Sequence, residues 1–278
     1  MGLNQSPLII GTPKSGKTTF LAQLFFRMQA GKGRLRMTKA STNIGALKNA
    51  CGRLSKGLET ETTAADDNLE IIIPVSLDES EFDLVCQDYG GEQVRNISSL
   101  LGYEKSWKTR AKTNDRWILF IRPNEVRHPY DLSHSGHANP EAADTKVSST
   151  TEILSHQYHF IELMQALLHA RDIGSKSRID SPTVLVVLTC WDELATDGSP
   201  YKVLQDKMPL FQQFLKTNWN KSSYKVIGLS SQGFKLEGDD DAKDKYLDDL
   251  PESFGYLILE DGTKDKDLTK LIEIAIKL

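Results

Sequence analysis

Leu8-Ile9-Ile10-Gly11-Thr12-Pro13-Lys14-Ser15-Gly16-Lys17-Thr18-Thr19-Phe20 is the stretch whose reading decides the fold. Three apolar residues form a strand, a loop of small residues follows, and Phe20, Leu21, Leu24, Phe25 and Met28 then fall along one stripe of a helix. The loop from Gly11 to Thr18 matches G-x-x-x-x-G-K-[ST], in the strand-before and helix-after setting that gives this motif its meaning. Its glycines let main-chain N–H groups turn inward as a nest for an anion, and the helix adds the positive end of its dipole at the same point. Lys17 is placed to reach the β- and γ-phosphates of a nucleotide and counts among the catalytic residues. Thr18 is placed to put its hydroxyl on Mg²⁺, a hard cation suited to oxygen donors. The expected phosphate-binding residues are therefore Gly11, Thr12, Pro13, Lys14, Ser15, Gly16, Lys17, Thr18 and Thr19.

Outward from this loop, Glu70 to Val75, Phe82 to Cys86, Trp117 to Ile121 and Thr183 to Leu188 are near-continuous apolar runs, with a shorter one from Lys225 to Leu229. Runs of this kind belong to strands covered on both faces, the habit of a parallel sheet. Between them lie helical stripes: Ile153, Phe160, Ile161, Met164, Leu167 and Leu168; then Leu204, Met208, Phe211 and Leu215; and finally Leu268, Leu271, Ile272, Ala275 and Ile276. Strands alternating with helices predict a three-layer α/β fold of the P-loop NTPase kind, with a mostly parallel central sheet. We expect one domain over 1–278 carrying surface insertions at about 31–67, 124–148 and 235–250. The first should hold a helix around Ile44 to Leu54 and then a loop rich in Thr. The acidic stretch from Gly238 to Asp249 reads as a solvated loop.

Composition narrows the function. The chain has 278 residues, 39% hydrophobic and 26% charged, ordinary for a globular protein, and no apolar run nears the roughly 20 residues that span a bilayer. A formal charge of −4 argues against direct nucleic-acid binding, which needs a surplus of Lys and Arg on one face. Cys51, Cys86 and Cys190 show neither pairing nor metal-ligand spacing, which fits a cytoplasmic location. Met1-Gly2 with Ser6 satisfies a short acylation pattern that many chains match by chance, so no stable membrane insertion is expected. His134-x-x-His137 and His156-x-x-His159 have no Cys or His-Glu-x-x-His beside them and read as ordinary loop and helix-surface residues.

Asp88-Tyr89-Gly90-Gly91-Glu92 stands at the end of the run Phe82 to Cys86. On a strand beside the phosphate loop, Asp88 is placed to hold Mg²⁺ through water and Gly91 to offer its N–H to a γ-phosphate, giving the loop two states. Thr189-Cys190-Trp191-Asp192 directly follows another strand. Here the chain resembles the translation-factor and small-GTPase (TRAFAC) class, whose base-recognition box is [Asn/Thr]-Lys-x-Asp at that strand end. The resemblance implies that Asp192 accepts from the guanine N1 and N2 hydrogens. It also places Thr189 and Cys190 at the base, with Cys190 standing where the class has a lysine stem. Ser230-Ser231-Gln232 sits where that class places a Ser-Ala-Lys loop whose backbone contacts the guanine oxygen. The switch threonine comes by the same resemblance from Glu59-Thr60-Glu61-Thr62-Thr63, with Thr63 preferred over Thr62 as a Mg²⁺ ligand.

The layout as a whole is similar to the bacterial double-GTPase family, through Gly-Lys-Thr-Thr-Phe-Leu-Ala-Gln-Leu at 16–24, Asp-Tyr-Gly-Gly-Glu at 88–92, Leu-Thr-Cys-Trp-Asp-Glu-Leu at 188–194 and Gly-Leu-Ser-Ser-Gln-Gly at 228–233. That resemblance implies a regulatory GTPase that binds GTP and GDP with Mg²⁺ and is coupled to a partner GTPase or effector in a conflict or defence system. Where related small GTPases have a water-orienting Gln, this chain has Glu92 followed by Gln93; either serves. A carboxylate beside a γ-phosphate gaining charge has an electrostatic cost, so slow intrinsic hydrolysis is expected. Arg95, Arg110 and Arg116 flank the second switch, and none is singled out as a transition-state arginine. Two other readings stay open: a nucleotide-sensing interaction module that barely hydrolyses, and an ATP-binding P-loop protein, which the Cys190 departure admits.

Overall fold

The structure, a computed structural model, describes residues 6–41, 45–61, 70–87, 105–126, 156–174, 177–236 and 240–278. In chain order these form β1 (Leu8–Gly11), α1 (Lys17–Gln29), β2 (Arg36–Met37), α2 (Gly45–Leu54), β3 (Glu70–Leu77), β4 (Ser80–Gln87), α3 (Lys105–Thr113), β5 (Arg116–Ile121), α4 (His156–Ala170), β6 (Thr183–Leu188), α5 (Pro200–Lys207), α6 (Pro209–Asn218), β7 (Tyr224–Ser230), α7 (Asp240–Asp248), β8 (Tyr256–Ile258), β9 (Lys264–Asp265) and α8 (Lys270–Lys277).

The mostly parallel central sheet runs in the order β1-β5-β6-β7-β8-β9. Its first four strands are parallel, with Ile10 opposite Leu119 and Val186 opposite Val226, and β8 and β9 extend it antiparallel. Side chains alternate across a strand, so every apolar run feeds two cores. Ile9, Ile118, Phe120, Leu185 and Val187 face one cluster with Phe20 and Leu24 of α1 and Leu271 and Ile272 of α8. Ile10, Trp117, Leu119, Val186 and Leu188 face the other, with Phe160, Met164 and Leu167 of α4 and Phe211 and Leu215 of α6. Each fully buried aliphatic side chain contributes about 1.5–3 kcal/mol relative to exposure, and this double coverage makes the sheet a firm platform for the loops at its strand ends.

Three expectations are corrected. The runs Glu70 to Val75 and Phe82 to Cys86 are not members of the parallel sheet: β3 and β4 form an antiparallel hairpin with β2 at its margin. Along β3 the burial alternates, with Ile71, Ile73, Val75 and Leu77 inside and their neighbours half-exposed, as in a sheet with one covered face. The turn sits between Leu77 and Ser80, where Asp78 takes a left-handed backbone, φ 53°, which Asp tolerates better than most residues. The hairpin still lies against β1, where the Val85 N–H donates to Ser6 Oγ at 2.9 Å.

The acidic stretch is not all loop. Residues 240–248 form α7, because Tyr246 is fully buried and accepts a hydrogen bond from Gln23 Nε2 of α1 at 2.8 Å. The third stripe, Leu204, Met208, Phe211 and Leu215, keeps one buried face but spans two helices, since Pro209 begins a new one after Met208 leaves helical geometry at φ −141°, ψ 62°. The helix expected around Ile44 to Leu54 is present as α2. Among the described residues no helix is long and apolar enough to cross a membrane.

Candidate functional site

A cavity of about 340 Å³ opens where β1, β6 and β7 end. The C-terminal rim of an open α/β sheet is where such folds bind ligands. Its floor is the predicted phosphate loop, residues 13–19. Gly11 ends β1 under strict contact limits: a Cβ there would stand 2.6 Å from Ser15 Oγ and 3.0 Å from Phe120 Cβ. Gly16 caps α1 at φ 80°, a left-handed conformation that the absence of a Cβ makes affordable. Between them Ser15 N–H donates to Thr12 O at 3.3 Å. Lys17, buried at the start of α1, folds its ammonium back over the loop and donates to Gly11 O at 2.8 Å, Thr12 O at 3.0 Å and Ser15 Oγ at 3.2 Å. The loop thus stands closed around a cation and the positive end of a helix, an arrangement suited to an anion.

One wall comes from the segment after α2. Glu59, Thr60 and Glu61 line the cavity. Thr60 is tied to α1 by a 2.6 Å hydroxyl–hydroxyl hydrogen bond with Thr19, and Arg53 holds the segment through Glu59 O at 2.7 Å and Glu61 at 2.8 Å. The preferred switch residue Thr63, with Thr62, lies outside the described residues; within the same string it is Thr60 that meets the phosphate-loop helix. Asp88, Gly91, Glu92, Gln93 and Arg95 also lie outside them.

The opposite wall is built by the loops after β6 and β7. Thr189 donates both its N–H, at 2.8 Å, and its hydroxyl, at 3.1 Å, to Ile121 O of β5, which fixes the start of the loop. Cys190 then takes a left-handed backbone at φ 51°, and Trp191 to Glu193 make one 3₁₀ turn with Trp191 buried. Cys190, Asp192, Ser231 and Gln232 line the cavity with Thr189. Ser230 is fully buried behind them and accepts from Gly233 N–H at 2.9 Å. Burial pushes the Cys190 thiol up to about 12, against the opposing pull of the Arg122 charge.

Arg122, Phe234 and Lys235 also line the cavity and escaped the sequence reading. Arg122 follows β5 and grips Glu193 with Nε at 3.2 Å and Nη2 at 2.5 Å, and this bond raises its guanidinium above its ordinary range. Glu193 O accepts in turn from Asn124 Nδ2 at 3.1 Å. The signal for Arg122 was slight, an Arg-Pro pair closing an apolar strand. Of the arginines considered from sequence, Arg110 pairs with Glu70 at 3.5 Å and Arg116 donates to Ile276 O at 3.0 Å, and neither lines the cavity.

Four strings spread over more than two hundred residues therefore meet around one space: a cationic cradle, a wall of hydroxyls and carboxylates, and two loops whose rim offers Asp192 and Gln232. Thr18, Glu59, Thr60 and Glu61 all line this cavity. Compared with known proteins, residues 8–275 match the family model described as Double-GTPase 1. A search of curated proteins gives no match.

Proposed function

Because the chain belongs to the Double-GTPase 1 family, we propose that it is a guanine-nucleotide-binding regulatory protein that hydrolyses GTP to GDP slowly and works with a partner GTPase or effector in a bacterial conflict or defence system. The observation that carries this reading is the convergence of the phosphate loop, the Thr189 to Asp192 turn and the Ser230 to Gln232 segment around a single cavity of about 340 Å³, of the size that holds a small ligand. We take 8–275 as one nucleotide-binding domain carrying the insertions described above.

In this reading the main-chain amides of 13–19 and the α1 dipole hold the phosphates. Lys17 exchanges its neutral oxygen partners for anionic ones, which form stronger, charge-assisted bonds. Asp192 accepts from the N1 and N2 hydrogens of guanine, and Thr189 and Ser230 hold the two base loops in place. Thr18, Asp88 and Thr63 would hold Mg²⁺, whose chemistry when bound is to neutralise charge on the β- and γ-oxygens. Gly91 offers an N–H to the γ-phosphate, and Glu92 or Gln93 orients the attacking water. A carboxylate in that place repels the growing phosphate charge, which keeps the intrinsic rate low.

A competition titration of GTP against ATP tests the assignment. GTP is expected to win by a wide margin, and Asp192→Asn to erase most of that margin. Lys17→Ala should weaken both GTP and GDP by roughly a hundredfold or more, since an anion loses its charged donor. Equal GTP and ATP affinities, unchanged in Asp192→Asn, would end the guanine reading.

A further inference from the structure

The turn that carries Asp192 is fastened at both ends to one short segment, residues 121–124, at the end of β5. At its start Thr189 donates N–H and hydroxyl to Ile121 O. At its end Glu193 is held twice: Arg122 donates to its carboxylate from Nε at 3.2 Å and from Nη2 at 2.5 Å, and Asn124 Nδ2 donates to its main-chain oxygen at 3.1 Å. In the middle the Trp191 ring packs on Gly228 of β7. Asp192 stands between the last two of these ties and lines the cavity.

The grip of Arg122 on Glu193 is of the strong kind. Two N–H groups of one planar guanidinium meet the two oxygens of one carboxylate, a paired geometry that the point charge of a lysine does not reproduce. The two side chains are only 26% and 24% exposed, so solvent weakens this pair less than it weakens a surface one. Glu125, 3.9 Å from Arg122 Nη1 and 55% exposed, adds little.

We propose that Arg122, acting through Glu193, is the positioning residue that sets the Asp192 carboxylate for the base and so sustains the purine preference of the site. The inference rests on the guanine reading above and adds to it a residue that belongs to neither base loop. A carboxylate serves the N1 and N2 hydrogens of guanine only at the right distance and angle, because hydrogen bonds weaken steeply with misalignment. A turn tied at its start, middle and end has little ordering left to do when the base arrives. Adenine has a bare ring nitrogen where guanine has a hydrogen, and a carboxylate only accepts. ADP therefore gains nothing from a well-placed Asp192 and loses nothing when the turn loosens. Arg122 itself also lines the cavity, but a direct cationic contact with the nucleotide would favour GDP and ADP alike, so the ratio of the two affinities separates positioning from contact.

Calorimetric titration of the full chain with GDP and with ADP tests the proposal, in the wild type, Arg122→Ala, Glu193→Ala, the double variant and Arg122→Lys. Arg122→Ala and Glu193→Ala should each weaken GDP roughly tenfold, the size of a hydrogen bond to a charged group, and leave ADP within about twofold. The double variant should be no worse than either single one, since both break the same tie. GDP release should quicken by the same factor while association stays unchanged. Arg122→Lys keeps the charge without the paired grip and should fall between wild type and Arg122→Ala; it decides the matter if the alanine variant does not fold. If the wild type prefers GDP but both nucleotides weaken alike, or the melting temperature drops with the affinity ratio unchanged, or the two single effects multiply in the double variant, the positioning role is overturned and the guanine reading survives. If the wild type binds GDP and ADP equally, the guanine reading itself falls and this inference with it.

Discussion

Cys190 occupies the cavity wall with a left-handed backbone and a thiol that burial pushes up to about 12. An ordinary cysteine ionises near 8.5, and only the thiolate attacks electrophiles. Raising the value leaves the thiol neutral at physiological pH, and the stability linked to the shift is present below the ordinary thiol range and lost as pH climbs above it. Alkylation of Cys190 by iodoacetamide, followed by peptide mapping, should therefore be slow at pH 8 and rise about tenfold per pH unit to pH 10 without levelling off. A plateau near pH 9 would contradict the burial argument. At this scale the phosphate loop was fully legible, because its chemistry needs fixed residue types at fixed spacing in one short string. Arg122 was not, because its partner Glu193 is 71 residues away and nothing in a lone arginine after a strand announces a distant carboxylate.

The loop that carries Asp192 packs against β7 through Trp191. The Trp191 ring packs on Gly228, where a Cβ would come within 2.4 Å of Trp191 Cε3 and 2.7 Å of Cδ2. Neither the backbone of a central strand nor a buried indole yields cheaply, so Gly228→Ala should cost about 1–3 kcal/mol, as overpacking does. It should also weaken guanine-nucleotide binding by shifting the turn. A denaturant midpoint and a GDP titration measure the two effects, and an unchanged midpoint would show that Trp191 is not fixed as described. Element identity was readable wherever apolar periodicity ran long, in α1, α4, β5 and β6. It failed for the β3–β4 hairpin because Ile72 and Pro74 on the outer face conceal the alternation, and the two-residue break at Asp78-Glu79 is short. It failed for α7 because one buried tyrosine among aspartates and lysines gives no stripe.

Across the whole molecule, α8 closes the face of the sheet that supports the phosphate-loop helix. Leu268, Leu271 and Ile272 are fully buried, while Glu273 gathers Arg34 at 2.5 Å and Lys277 at 2.7 Å, and both cations also reach Asp78 at the hairpin turn. The apolar contribution dominates, because exposed ion pairs are weakened by solvent. Leu271→Ala should cost about 2–5 kcal/mol, well beyond Arg34→Ala, as read from thermal melts; the opposite ranking would mean that the charge network holds the helix. The fold class and the parallel strand group were legible because both faces of those strands are covered. The antiparallel extension was not, since β8 and β9 have three and two residues, too few to show a period. Those short outer strands have a further consequence. Two of the four edge strands among the described residues, β9, Lys264–Asp265, and β2, Arg36–Met37, are each two residues long with a charged side chain. Blunted borders of this sort resist templated growth from one molecule into the next along those two margins.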